Sequence, residues 1–162
     1  LLVLPDVSGS MGRFTYSVTK AAMALGKTGR HGWDVIVVSH SNGFPCEISI
    51  NGKPAERAPG FSEENEALEW YKGLIKKYNL KLVIACADWD GAWLYKYLVN
   101  LENVVKLIWL DPYCCSRTEP KLVALPESEL FNKSEKQKII YSIACGSVEQ
   151  VTSALQQAIK RI

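Results

Sequence analysis

Leu1-Leu2-Val3-Leu4-Pro5-Asp6-Val7-Ser8-Gly9-Ser10-Met11-Gly12 is the stretch on which the reading of this chain turns. Its apolar start has the composition of a buried strand, and Pro5-Asp6 closes it. Beyond the strand, Asp6, Ser8 and Ser10 occupy every second position. In an extended loop those positions point the same way, so a carboxylate and two hydroxyls converge, while Gly9 and Gly12 let the backbone bend. Oxygen ligands of this kind suit a hard divalent cation, with Asp6 expected at a solvent-facing strand end.

Outward from this loop, Phe14, Val18, Ala21, Ala22 and Leu25 recur at helical spacing until Gly26 and Gly29. Val35 to Val38 is a β-branched run suited to a strand buried on both faces, and Ser41-Asn42-Gly43 turns it into Cys46 to Ile50, an antiparallel third strand expected at the sheet edge. Asn51-Gly52 ends that strand. Ser62 is placed at the start of a second helix whose inner face carries Ala67, Leu68, Tyr71, Leu74, Ile75 and Tyr78. Leu80 to Ala87 reads as strand four, followed by Asp88-Trp89-Asp90-Gly91 and a helix with Leu94, Tyr97, Leu98 and Leu101 inside. Val104 to Leu110 is strand five. The polar stretch from Ser116 to Gln137 offers only Leu122 to Leu125 and a short helix near Glu127 to Asn132. Ile139 to Ala144 is strand six, and Val148, Val151, Leu155, Ile159 and Ile162 form the core face of a terminal helix.

Alternating strands and helices predict an α/β domain, doubly wound, with a mostly parallel six-stranded sheet in the order 3-2-1-4-5-6 and helices on both faces. In that order the ligand crevice lies outside the carboxyl ends of strands one and four, where the winding reverses. Asp6 follows the first and Asp88 the second, so two carboxylates distant in sequence are expected side by side.

The motif D-x-S-x-S at Asp6, Ser8 and Ser10, continued by Met11-Gly12, resembles the first metal-site motif of von Willebrand factor A domains. Gly60-Phe61-Ser62-Glu63-Glu64-Asn65-Glu66-Ala67-Leu68 looks like that family's G-G-T loop running into an E-A-L helix. The resemblance covers nearly the whole chain in element order, through few specific residues. It implies a Rossmann-like fold with a metal-ion-dependent adhesion site: Asp6, Ser8, Ser10, Ser62 and Asp88 as ligands of Mg²⁺ or Mn²⁺, and a non-catalytic role in which a partner protein supplies an Asp or Glu to the ion. Gly9, Phe61, Trp89 and Asp90 would rim the site. Two residues depart from the family: Ser62 stands for its threonine, and Ala87-Asp88-Trp89-Asp90 replaces T-D-G, which leaves Asp88 or Asp90 facing the ion, Asp88 being favoured as first after the strand. Ser62 before Glu63 and Glu64 also suits a helix N-cap.

Other chemistries fit less of the chain. Ser8 to Gly12 is similar to a nucleophile elbow with Ser10 as nucleophile, yet no His follows the later strands to complete a triad. Val83 to Gly91 resembles the aspartyl-phosphate motif of haloacid-dehalogenase-like phosphatases, with Asp88 as nucleophile and Asp90 as general acid, but that family carries it on its first strand. A scaffold with a vestigial ion site is the remaining alternative. His31 and His40 lack partners at ligand spacing and are assigned to surface or loop positions.

The 162 residues, 48% hydrophobic, are one domain's length, and an opening on an apolar strand without Met predicts a domain excised from a longer protein. A net charge of +2 without a basic stripe argues against nucleic acid, and no apolar run reaches the ~20 residues that span a bilayer. Five cysteines, with Cys114 and Cys115 adjacent, suggest free thiols in an intracellular, cytoplasmic protein. A zinc site from Cys86, Cys114, Cys115 and Cys145 lacks any C-x-x-C pair and is the weaker reading.

Overall fold

The computed structural model describes residues 1–29, 34–112, 119–126, 129–143 and 146–162. His31, Cys114, Cys115, Ala144 and Cys145 lie outside them, as do residues 127–128 of the expected short helix.

Period-two alternation builds the sheet. In β1 (Leu2–Pro5), Leu2 and Leu4 enter one core and Val3 the other. β2 (Ile36–Ser41) does the same with Ile36 and Val38 against Val37. Asn42 and Gly43, at φ 50° and 94°, then turn the chain into antiparallel β3 (Phe44–Ile50). A second such turn, Asn51 and Gly52 at φ 51° and 79°, adds a two-residue strand, β4 (Lys53–Pro54). β5 (Leu82–Cys86) and β6 (Lys106–Asp111) are buried on both faces, with Val83, Ala85, Leu107 and Trp109 opposite Ile84, Cys86, Ile108 and Leu110. β7 (Lys121–Val123) and β8 (Ile139–Ile143) complete a mixed, mostly parallel sheet in the order β4-β3-β2-β1-β5-β6-β8-β7.

Among the described residues, the expected six strands are thus corrected to eight. β3 is not the edge, because β4 pairs with it outside, and β7 pairs antiparallel beyond β8. Both additions are too short to register as an apolar period in the sequence.

Helix α1 (Phe14–Gly26) covers one face with Phe14, Val18, Ala21 and Ala22. Helix α2 (Glu64–Tyr78) covers the other with Ala67, Tyr71 and Ile75; it is preceded by Glu63 rather than capped by Ser62, which is exposed at the bend before it. Alongside it, α3 (Ala92–Val99) buries Leu94, Tyr95 and Leu98, and half-buried Tyr97 packs against the same core while its hydroxyl donates to Glu69 at 3.3 Å. Of the short helix expected near Glu127 to Asn132, the described residues 129–132 are not helical, and α4 (Lys133–Lys138) starts just beyond them, where Asn132 and Glu135 form a reciprocal capping box. Terminal helix α5 (Val148–Ile159) joins α1 on its face through Val151, Ala154, Leu155 and Ala158. That i, i+3, i+4, i+7 stripe leaves Ile159 and Ile162 outside, 49% and 60% exposed, contrary to the expected core face. None of the helices among the described residues is long and apolar enough to cross a membrane.

Because β1, β2, β5, β6 and β8 run parallel, their carboxyl ends form one rim. Asp6, His40, Asp88 and Asp111 all fall along it.

Candidate functional site

Asp6 leaves β1 with its N–H donating to the carbonyl of Cys86 on β5 (3.0 Å), and it forms a parallel bridge with His40 on the other side. This places it in the middle of the rim, between the ends of β2 and β5. The expected solvent-facing position is corrected: Asp6 is fully buried. Its Oδ1 accepts the Ser8 N–H at 2.8 Å, while Oδ2 is buried with no hydrogen-bond partner. Burial raises its carboxyl from the ordinary value and the nearby Asp90 charge adds to this, against the lowering effect of the Ser8 N–H and of the Ser8 hydroxyl and Asn42 N–H, which lie near the carboxylate without closing a well-formed bond to Oδ2.

The loop after Ser8 is not the extended run read from the sequence. Gly9–Met11 is a single 3-10 turn, closed by Met11 N–H to the Ser8 carbonyl at 3.1 Å. Met11 is fully buried in the α1-side core, and Gly12 takes φ 46° with ψ −120°, a conformation reserved for glycine. The turn nevertheless brings the Ser8 and Ser10 hydroxyls within 2.9 Å of each other. Gly9 is exposed at its crest, with open space around it.

Asp88 repeats the local geometry of Asp6. Its Oδ1 accepts the N–H of Asp90, two residues on, at 3.0 Å, and it is 6% exposed, while Asp90 itself is exposed. Neighbouring strands thus each end in a buried aspartate that fixes the turn after it.

His40 and Tyr95 complete this neighbourhood, and the sequence reading missed both. His40, assigned there to surface or loop, is fully buried in β2. Gly43 N–H donates to its Nδ1 at 3.0 Å, so the proton of the neutral ring resides on Nε2 and is donated to Tyr95 Oη, also at 3.0 Å. Burial drives the imidazole down to about 3, although the Asp88 carboxylate works the other way. The Tyr95 hydroxyl is pushed well above its ordinary value by burial and then by Asp6. A side chain on Gly91 would meet His40 Cε1 at 3.3 Å, so the glycine opening α3 permits the close approach. The available signal was the continued alternation Ile36, Val38, His40, which points the histidine to the same core as its predecessors.

The remaining predicted residues are dispersed. Ser62 is exposed, and none of the hydrogen bonds described for the loop and Asp88 reaches it. Phe61 rests on Trp70 of α2, ring centroids 6.3 Å apart. Trp89 packs on Trp109 at 4.6 Å and donates to Tyr141 Oη at 3.3 Å, and Tyr141 donates in turn to the buried Asp111 carboxylate. Cys86 is buried, its thiol raised to about 12 by burial, and Cys46 is half-buried; both are free.

As a cation site the central group is a mixed carboxylate–hydroxyl set. Among the described residues, no three His, Cys, Asp or Glu side chains group to hold a metal. The donors that fit a small hard cation are Asp6, with its unpartnered Oδ2, the Ser8–Ser10 pair and, from the next strand, Asp88. Comparison with known proteins finds no matching family model, no matching curated protein and no matching solved structure.

Proposed function

We propose that this chain is a non-catalytic, Mg²⁺- or Mn²⁺-dependent protein-recognition domain of the von Willebrand factor A type, working inside the cell. The observation that carries the reading is the Asp6 carboxylate: wholly buried at the point where the winding reverses, with one oxygen unpartnered and two serine hydroxyls in the loop above it. A buried carboxylate without a counter-charge is costly, and a divalent ion is one chemistry that offsets this. Asp6, Ser8, Ser10 and Asp88 would hold it, with Ser62 added from the loop before α2. Few formal charges on the ion leave it electrophilic toward an acidic side chain presented by a partner.

The chain's own part is to hold the donors still. Met11 anchors the loop in the core, Gly12 turns it, Ser8 N–H fixes Asp6, Asp90 N–H fixes Asp88, and exposed Gly9 leaves the approach unobstructed. Titration calorimetry with Mg²⁺ and Mn²⁺ tests the reading. One site is expected in the native protein, lost in Asp6→Asn and Asp88→Asn proteins that remain folded by circular dichroism. A partner captured in Mg²⁺ should be released by EDTA. Absence of binding, or binding untouched by both substitutions, would leave a scaffold; turnover of p-nitrophenyl phosphate would move the chain to the phosphatases.

A further inference from the structure

The flank of the sheet opposite β4 is open. β7 pairs with β8 only from Lys121, opposite Ile143, to Val123, opposite Tyr141, and residues 124–126 then leave the ladder. Ile139 and Ile140, at the start of β8, pair with β6 on one side and, among the described residues, with no strand on the other. A groove of about 800 Å³ occupies this gap, with residues 122–125 along one wall and 139–141 along the other. Successive residues of an extended chain point to opposite faces, so a groove that touches every residue of both runs touches their main chain as well as their side chains. That is the lining an extended peptide uses, through backbone hydrogen bonds and alternate side chains.

Charge narrows the composition of that peptide. Lys133 and Lys136 of α4 and Arg161, just beyond α5, also line the groove, and among the described residues no Asp or Glu does. They come from both sides of the sheet, since α4 is tied to α3 through Glu135 and Lys96 on one face and α5 packs with α1 on the other. The ion pairs formed among the described residues are Arg57–Glu47, Lys72–Glu69 and Lys96–Glu135, so these three cations have no counter-charge among them. Three positive groups around apolar walls repel one another and favour an anionic occupant. A second copy presenting the same edge would set cation against cation. A nucleic acid would meet the charges but find no exposed aromatic ring to stack on, Tyr141 being buried.

We propose that this groove binds an extended acidic segment of a partner protein, with apolar residues between its carboxylates, laid between residues 122–125 and 139–141 and held by Lys133, Lys136 and Arg161. The site is independent of the ion-binding reading. The test is a ¹H–¹⁵N NMR titration of the whole chain with the end-blocked peptide Glu-Asp-Val-Ile-Val-Asp-Glu, with its amide counterpart Gln-Asn-Val-Ile-Val-Asn-Gln, and with a form of the acidic peptide carrying Pro in place of Ile. The expected result is saturable shifts at Val123, Leu125, Ile139 and Ile140 with the acidic peptide, at an affinity about fivefold or more above both controls in ~50 mM salt, its advantage over the amide counterpart shrinking in ~500 mM. Lys133→Glu combined with Arg161→Glu, both at exposed positions, should remove that advantage. The proposal is overturned if the acidic peptide gives no saturable shifts there, if either control binds the native protein as tightly, if the double variant keeps the native preference, or if oligothymidylate binds there more tightly than the peptide.

Discussion

Because Gly43 N–H fills Nδ1 of His40 and Tyr95 Oη takes the proton on Nε2, a second proton on this ring would have to displace a hydrogen bond inside the core. The unfolded chain carries no such restriction, and its histidines protonate near pH 6.5. Below that value the unfolded state binds the extra proton and the folded state, held down to about 3, does not. Stability contributed by neutral His40 is therefore complete above about pH 6.5 and falls with acid toward about 3, at up to ~1.4 kcal/mol per pH unit. Asp6, raised by burial, works with the opposite sign, since the folded state keeps its proton longer; Asp88 and Tyr95 also face the ring. Comparison with His40→Leu isolates the histidine part: the variant should lose about 2–4 kcal/mol at neutral pH by orphaning Gly43 N–H and Tyr95 Oη, and its remaining pH dependence should be flatter. Urea unfolding at about pH 7.5 and about pH 5 measures both. Thiols give a second check at this scale. Half-buried Cys46 should react with iodoacetamide in the native protein, while Cys86, held near 12 in the core, should react only after denaturation. Equal native reactivity of the two would contradict the burial described.

At the scale of elements, α4 shows how much six residues depend on their first turn. Asn132 accepts Glu135 N–H at 2.9 Å while the Glu135 carboxylate takes the Asn132 N–H at 2.8 Å, and the same carboxylate holds Lys96 and Asn100 of the preceding helical segment. Asn132→Ala should destabilise by about 1 kcal/mol, visible as a lower thermal midpoint, and Asn132→Ser should recover most of it. Asn-x-x-Glu was readable at residues 132 to 135, but α4 lacks an apolar stripe, so periodicity passed over it. The same limit hid β4 and β7, whose pairing is decided by the turn at Asn51-Gly52 and by the neighbouring strand β8. Where an element buries a full stripe, as in α1, α2, β5 and β6, the pattern of the chain placed it within two or three residues. For the site, the pairing of β1 with β5, which sets Asp6 and Asp88 after the ends of neighbouring strands, followed from strand order, and the alternation Ile36, Val38, His40 carried the inward side of the histidine; the burial of Asp6 did not follow, because no residue spacing reveals how deeply the turn Ser8–Gly12 folds over a strand end.

Taken as a whole, the molecule separates support from access. α1 and α5 seal one face of the sheet and α2 and α3 the other, so the carboxyl rim is where polar side chains from several strands meet. The antiparallel flank ends on β4, the shortest strand among the described residues. That strand has a further consequence. An outermost strand ordinarily offers a row of free amides to any passing chain, yet here it is Lys53 and Pro54: two residues, both exposed, one charged and one without an N–H. A neighbouring copy arriving along this flank finds too little backbone to zip onto, so crowding of the protein should not turn this side into a seed for fibres.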